Sequence, residues 1–145
     1  NAYRMALDHY AKTPGAPLPP EIPKELDYAS HRPYTTGFAF GDPGAAGQAP
    51  KSADYVSDAQ ISAVVLSYDA EAQIAHVAQR NRFFDGDTLS ILSPGDVSRA
   101  FAVRGIRSEA GEPQQSAPHP KQRLFIGCSE PVRAGDILRR LSDTH

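Results

Sequence analysis

A single cysteine, Cys128, no tryptophan and no long uninterrupted apolar run set the first limits on this chain of 145 residues. One cysteine excludes an internal disulfide framework and any Cys-only zinc or iron–sulfur site. The expected setting is therefore reducing and cytoplasmic. Nothing approaches the ~20 apolar residues of a membrane helix, and no charged-then-apolar leader opens the chain. Strong charge is missing too. The net value of −2 gives no broadly basic character of the kind that drives non-specific nucleic-acid binding. The balance is uneven, however: residues 1–79 carry 5 Lys/Arg against 9 Asp/Glu, and residues 80–145 carry 10 against 8. An anionic partner would meet the second half first.

Motifs for chemistry are equally scarce. There is no Gly-x-Ser-x-Gly elbow, no Gly-x-Gly-x-x-Gly and no Gly-Lys-Ser/Thr phosphate loop. His9, His31, His76, His119 and His145 show no metal-ligand spacing and no regular partnership with carboxylates. His119, between Pro118 and Pro120, belongs to a stiff loop; a metal or catalytic role would need it to converge with His31. Cys128 falls on an expected strand with no basic helix terminus nearby, so packing suits it better than nucleophilic attack. These residues predict no catalytic group and no metal or cofactor within the chain.

What is present divides into three zones. Residues 3–12 predict a helix, with Tyr3, Ala6, Leu7 and Tyr10 repeating at helical spacing. Asn1-Ala2 reads as an expression scar ahead of it. Residues 13–57 hold 8 of the 13 prolines and 5 of the 11 glycines, the composition of a linker. One short helix is expected to start at Pro23. From about residue 58 to 141, short β-type segments recur with turn signals between them. Strands are expected at Ile61–Tyr68, Ile74–Gln79, Thr88–Leu92, Ala100–Ile106, Gln122–Cys128 and Ile137–Arg140. Leu89 and Ile91 share one face, as do Phe101 and Val103. Closure or partial closure into a small β-barrel would protect the edges of so short a set.

One internal echo supports the barrel. Phe84-Asp-Gly-Asp-Thr-Leu and Arg133-Ala-Gly-Asp-Ile-Leu each place a Gly-Asp step before a strand. Glycine supplies the positive φ of a tight turn, and the aspartate side chain bonds nearby amides. Such a device looks like that of the second-domain barrel of translation elongation factors, a likeness of fold that transfers no function.

Arginine is the notable residue type. Arg80 and Arg82 precede Phe83-Phe84, and Lys121 and Arg123 lie further on. Basic residues interleaved with aromatics can track a phosphate backbone and stack on bases. The alternative is a solvated barrel surface with local ion pairs, Phe83 and Phe84 acting as barrel plugs.

Residues 30–41, Ser-His-Arg-Pro-Tyr-Thr-Thr-Gly-Phe-Ala-Phe-Gly, carry the strongest resemblance. Tyr34, Phe38 and Phe40 are evenly spaced, so an extended segment would turn them to one side. Further matches are Gln79-Arg-Asn-Arg-Phe, Gly86-Asp87 with Leu92-Ser-Pro-Gly, Ala117-Pro-His-Pro with Gln122-Arg, and Pro131-Val-Arg-Ala-Gly-Asp-Ile-Leu-Arg-Arg. Together they resemble the C-terminal domain of the U32 peptidase family, with Gly127-Cys128 a small departure.

That resemblance implies a non-catalytic accessory barrel, mainly β, helping a catalytic core domain of a collagenase-like peptidase to position a substrate. Residues 1–12 would then be scar and an orphan helix of the preceding domain, 13–57 the linker, and 58–141 the barrel. Some relatives hydroxylate tRNA uridine, so the alternative is an RNA-contacting barrel with Arg80, Arg82, Lys121 and Arg123 as contacts. A purely structural or protein-interaction module is the second alternative, with His31, Arg32, Tyr34 and Phe38 at the interdomain junction. The partners implied are the protein's own core domain and tRNA or a protein substrate, with no membrane. Any iron–sulfur cluster would belong to the missing core.

Overall fold

The computed structural model describes residues 1–29, 39–42, 44, 59–119 and 121–141. Among the described residues two helices, α1 (Ala2–Lys12) and α2 (Glu21–Asp27), precede seven strands. These are β1 (Ala59–Asp69), β2 (Ile74–Gln79), β3 (Thr88–Leu92), β4 (Arg99–Ala102), β5 (Arg104–Ser108), β6 (Arg123–Gly127) and β7 (Ile137–Leu141). They form one antiparallel sheet in the order β4-β3-β7-β1-β2-β6-β5. The fold is mainly β, a sheet curled into a half-barrel. Register shifts at Ile61/Ala63 and Val65/Ser67 bend the long strand β1 into that curl.

The curl makes one core. Ala75 and Val77 of β2, Leu89 and Ile91 of β3, Leu124 and Ile126 of β6 and Leu138 of β7 meet inside it with Phe83 and Ile106. Alternation along each strand drives this packing, since every second side chain must leave water. Phe83 plugs the interior, but Phe84 does not: it stays 45% exposed. The buried Gln79 amide donates to the Ala117 carbonyl, so this polar side chain in the core has a partner.

Both Gly-Asp steps are turns of the same build. The Asp87 amide bonds the Phe84 carbonyl (3.1 Å), and the Asp87 carboxylate accepts from the Phe84 amide (2.9 Å). Asp136 repeats this with Arg133, at 3.0 and 2.8 Å. Gly86 (φ 90°) and Gly135 (φ 94°) occupy the position where only positive φ closes the turn.

The single strand expected at 100–106 is in fact two. β4 and β5 are the two edges of the sheet, and the chain passes between them at Val103. Val103 is held by the preceding turn: its amide bonds the Asp87 carbonyl, and its carbonyl accepts from Gly86 (both 2.9 Å). The barrel's two edges are thus joined by the chain itself, with no ladder between β4 and β5 among the described residues.

The helices also depart from expectation. α2 starts at Glu21, so Pro23 sits inside its first turn, where a missing N–H costs nothing. α1 buries Ala2 and Met5 against Ile22, Leu18 and Leu26, leaving Tyr3 (79%) and Leu7 (70%) exposed. Its start is pinned to the barrel, since the Asn1 side chain accepts from the Gly95 amide (2.8 Å) and donates to the Asp96 carbonyl (3.1 Å). A second anchor is ionic. Arg139 of β7 meets Glu25 of α2 at 2.7 Å and Ser98 at 2.6 Å, with its guanidinium 4.6 Å from the Tyr28 ring centroid.

Candidate nucleic-acid interface

Strands β2, β6 and β5 lie side by side, and their outward residues form a short grid. His76 pairs with Phe125, and Phe125 with Arg107; Ile74 pairs with Gly127, and Gly127 with Arg104; Ala78 pairs with Arg123. Directly opposed residues of antiparallel strands project on the same side. Leu124, Ile126 and Cys128 point inward and are buried, which sends Arg123, Phe125 and Gly127 outward.

Arg104 and Arg107 are three apart in sequence, and strict alternation would send them to opposite faces. Their partners, Gly127 and Phe125, are two apart. The extra residue is a β-bulge, with Gly105 at φ 59°. Its amide donates to the Asp85 carboxylate at 2.7 Å, which fixes the bulge. As a result Ile106 turns into the core while both arginines remain outside. Glycine is required across the way as well: a Cβ on Gly127 would lie 2.8 Å from the Arg104 carbonyl oxygen.

Two aromatic rings stand on this face. His76 stacks on Phe125 with centroids 4.7 Å apart and planes 21° from parallel. Glu109 approaches from the turn after β5, 3.3 Å from His76 Nε2 and 4.0 Å from Arg123. This His–carboxylate contact joins residues 33 positions apart, a separation no local spacing reveals. Arg104 and Arg107 have no acidic partner among the described residues.

The structure places the sequence-derived candidates next to this grid. Arg80 directly follows β2, and the Lys121 amide bonds the Gln79 carbonyl at 3.0 Å, so the backbone sets Arg80 and Lys121 close together. Arg123 begins β6 one pair away, and Arg82 lies two residues beyond Arg80. Arg80, Arg82, Lys121 and Arg123 are all exposed. His31, Arg32, Tyr34 and Phe38 lie outside the described residues. Arg104, Arg107, Phe125 and His76 are not among the contact candidates that the sequence suggests. The glycine inside an expected strand was the available signal, since such a glycine marks a bulge.

Other features offer less chemistry. A depression of about 420 Å³ near Asp96, Arg99 and Arg133 contains an arginine already engaged. Arg99 bonds the Pro131 carbonyl (3.0 Å) and lies 3.5 Å from Glu130. Cys128 is buried with its thiol donating to the Glu130 carbonyl, and burial pushes its pKa up to about 11. A thiol so held is protonated at neutral pH and is a poor nucleophile. Among the described residues no group of three or more His, Cys, Asp or Glu side chains comes together to hold a metal. No helix among the described residues is long and apolar enough to cross a membrane.

Comparison with known proteins agrees with this architecture. Over 97% of its length the chain is 26% identical to the Bacillus subtilis tRNA hydroxylation protein P1, spanning 33% of that protein. It is 29% identical over 117 residues to the Escherichia coli tRNA hydroxylation protein P, spanning 25% of it. The chain thus covers a third or less of these relatives. Among solved structures it is similar to the C-terminal domain of a Geobacillus thermoleovorans protein assigned to the U32 peptidases. Two crystal structures of that domain, the first of its selenomethionine variant, align at 30% and 28% identity with TM-scores of 0.53 and 0.54. They cover 56% and 58% of this chain and 99% and 93% of their own. The profile of the peptidase family U32 C-terminal domain matches residues 57–139, and the chain belongs to that family.

Proposed function

We propose that this chain is a non-catalytic accessory barrel that presents an RNA-contacting surface on behalf of a larger tRNA-modifying protein. The observation that carries this reading is the strip along β6 of exposed basic residues beside the half-buried ring of Phe125. Arg123, Phe125 and Gly127 succeed one another there, with Lys121 in the turn just ahead of the strand and Arg104 and Arg107 alongside on β5. The names of the Bacillus and Escherichia relatives favour RNA over a protein substrate, although the family bears a peptidase name. On this reading the barrel holds and orients RNA by its phosphates while the chemistry takes place elsewhere in the parent protein.

Equilibrium binding of unmodified tRNA to the chain across a salt series tests the reading. Affinity should fall steeply as salt rises, each neutralised phosphate adding about 0.7–0.9 to the log–log slope. Absence of binding at low salt would reject it. Deleting this segment from the parent should likewise depress tRNA hydroxylation more than any proteolysis, with the core still folded.

A second reading, a protein-docking module, is favoured by one observation: Tyr3, Leu7 and Tyr10 lie exposed at i, i+4 and i+7 on α1. It predicts capture of a separately expressed core by this chain, lost on Tyr3→Ser with Leu7→Ser.

A further inference from the structure

We propose that the groove over the β5–β6 edge is a docking place for an unpaired nucleotide of the RNA. Its base would rest on the Phe125 ring, and its flanking phosphates would lie against Arg104 and Arg107. This assignment rests on the RNA reading above and makes it specific to one site and one form of RNA.

The groove, about 270 Å³, is floored by Gly105, Gly127 and Ile74 and walled by Arg104, Arg107 and Phe125. A second depression of about 340 Å³ adjoins it and shares Arg104 and Gly127. Gly105 leaves backbone bare at the floor, with open space where a side chain would stand, so a flat ring can approach the sheet there. Neither glycine is incidental: one supplies the positive φ of the bulge, and the other avoids a clash with the Arg104 carbonyl.

The charges there are available. Arg104 and Arg107 are exposed and free of acids among the described residues, so neither must break an ion pair to receive a phosphate. Phe125 is backed on its β2 side by the stacked His76 ring, which holds it upright and leaves its β5 side toward the groove. Aromatic walls of this kind accept any base by stacking, and arginines beside them follow the backbone. Duplex RNA offers no such base: its deep major groove hides the base edges, and its ring faces are already stacked. At about 270 Å³, with Phe125 on one wall, the groove suits a splayed, single-stranded nucleotide rather than a duplex. Two carboxylates lie near the groove: Glu109, 3.3 Å from His76 and 4.0 Å from Arg123, and Asp85, which accepts from the Gly105 amide at 2.7 Å.

The test uses the whole chain and a fluorescein-labelled oligouridine, with the same labelled strand in a duplex for comparison. The single strand should bind more tightly than the duplex. Phe125→Leu should weaken single-strand binding about tenfold, the loss of one stacked base, whereas Phe125→Tyr should retain it. Phe125 points out of the barrel, so both variants keep the core, and matching melting curves would verify this. Arg104→Ala with Arg107→Ala should lower the salt slope by about 1.4, while Arg133→Ala on a different loop should not change it. Salt-sensitive binding unaffected by the Phe125 and Arg104/Arg107 changes would overturn the groove and spare the RNA reading. No RNA binding by the unaltered chain would overturn both. Polyglutamate competing as well as RNA of equal charge would overturn the stacking assignment in favour of a general anion surface.

Discussion

On β7, Arg139 is 5% exposed and bonded to Glu25 and Ser98, whereas on β5 Arg104 and Arg107 face water and make no ion pair among the described residues. The side chain is the same, but the surroundings differ. Arg139 has been taken out of water, and its desolvation is offset by a short ion pair, a hydroxyl and the ring of Tyr28. It can do nothing further, because any second anion would have to displace Glu25. Arg104 and Arg107 have made no such commitment. The difference teaches that a count of arginines in the second half of the chain mixes two populations. One fastens the helical segment to the barrel, and the other stands in water without an ion pair among the described residues.

Breaking the first population should have the larger effect. Glu25→Ala strands a buried guanidinium and should cost about 3–5 kcal/mol in chemical denaturation. Pairing Glu25→Leu with Arg139→Met should return most of that loss, since an apolar pair of similar volume needs no compensation. Neither change should alter the salt slope of RNA binding while the protein stays folded. Next in size is Gly127→Ala. The new Cβ must push the Arg104 carbonyl away, a crowding that costs about 1–3 kcal/mol, and single-strand binding should weaken as β5 shifts. Gly105→Ala forces an L side chain to φ 59° and should cost about 1–2 kcal/mol, with the bulge loosened and Arg104 and Arg107 less well held together. The smallest effect sharpens the comparison from the other side. Glu109→Gln removes the acid beside His76 and Arg123 and should tighten RNA binding about two- to fivefold at low salt.

Much of the barrel was legible in the sequence because its strands obey a local rule. The alternation of Leu89 and Ile91, or of Phe101 and Val103, marks a buried face without knowledge of the neighbours. The Gly-Asp turns were legible for the same reason, since donor, acceptor and positive φ all lie within four residues. Long-range pairing was not. Glu25 and Arg139 are 114 residues apart, and nothing in either segment announces the other. The α1 stripe misled because Tyr3, Leu7 and Tyr10 are the larger residues, yet α2 meets the smaller face of Ala2 and Met5.

The basic strip was half legible. Arg80, Arg82, Lys121 and Arg123 stand beside aromatics in sequence, whereas Arg104 and Arg107 carry the wrong spacing for a shared face. A bulge restores them to one side, and only Gly105 hinted at it. One inserted residue changes the parity of every side chain after it, which is why an alternation read from sequence fails beyond such a point.

Photocrosslinking of an oligouridine carrying 5-iodouridine to the intact chain, followed by peptide mapping, tests the central claim most directly. Light-induced attachment occurs at aromatic side chains stacked on the modified base. The account predicts a crosslink on the β6 peptide at Phe125, lost in Phe125→Leu and diminished when Arg104 and Arg107 are both alanine. Attachment confined to Tyr3 or Tyr10 of α1, or to Phe84, with β6 unlabelled, would contradict it.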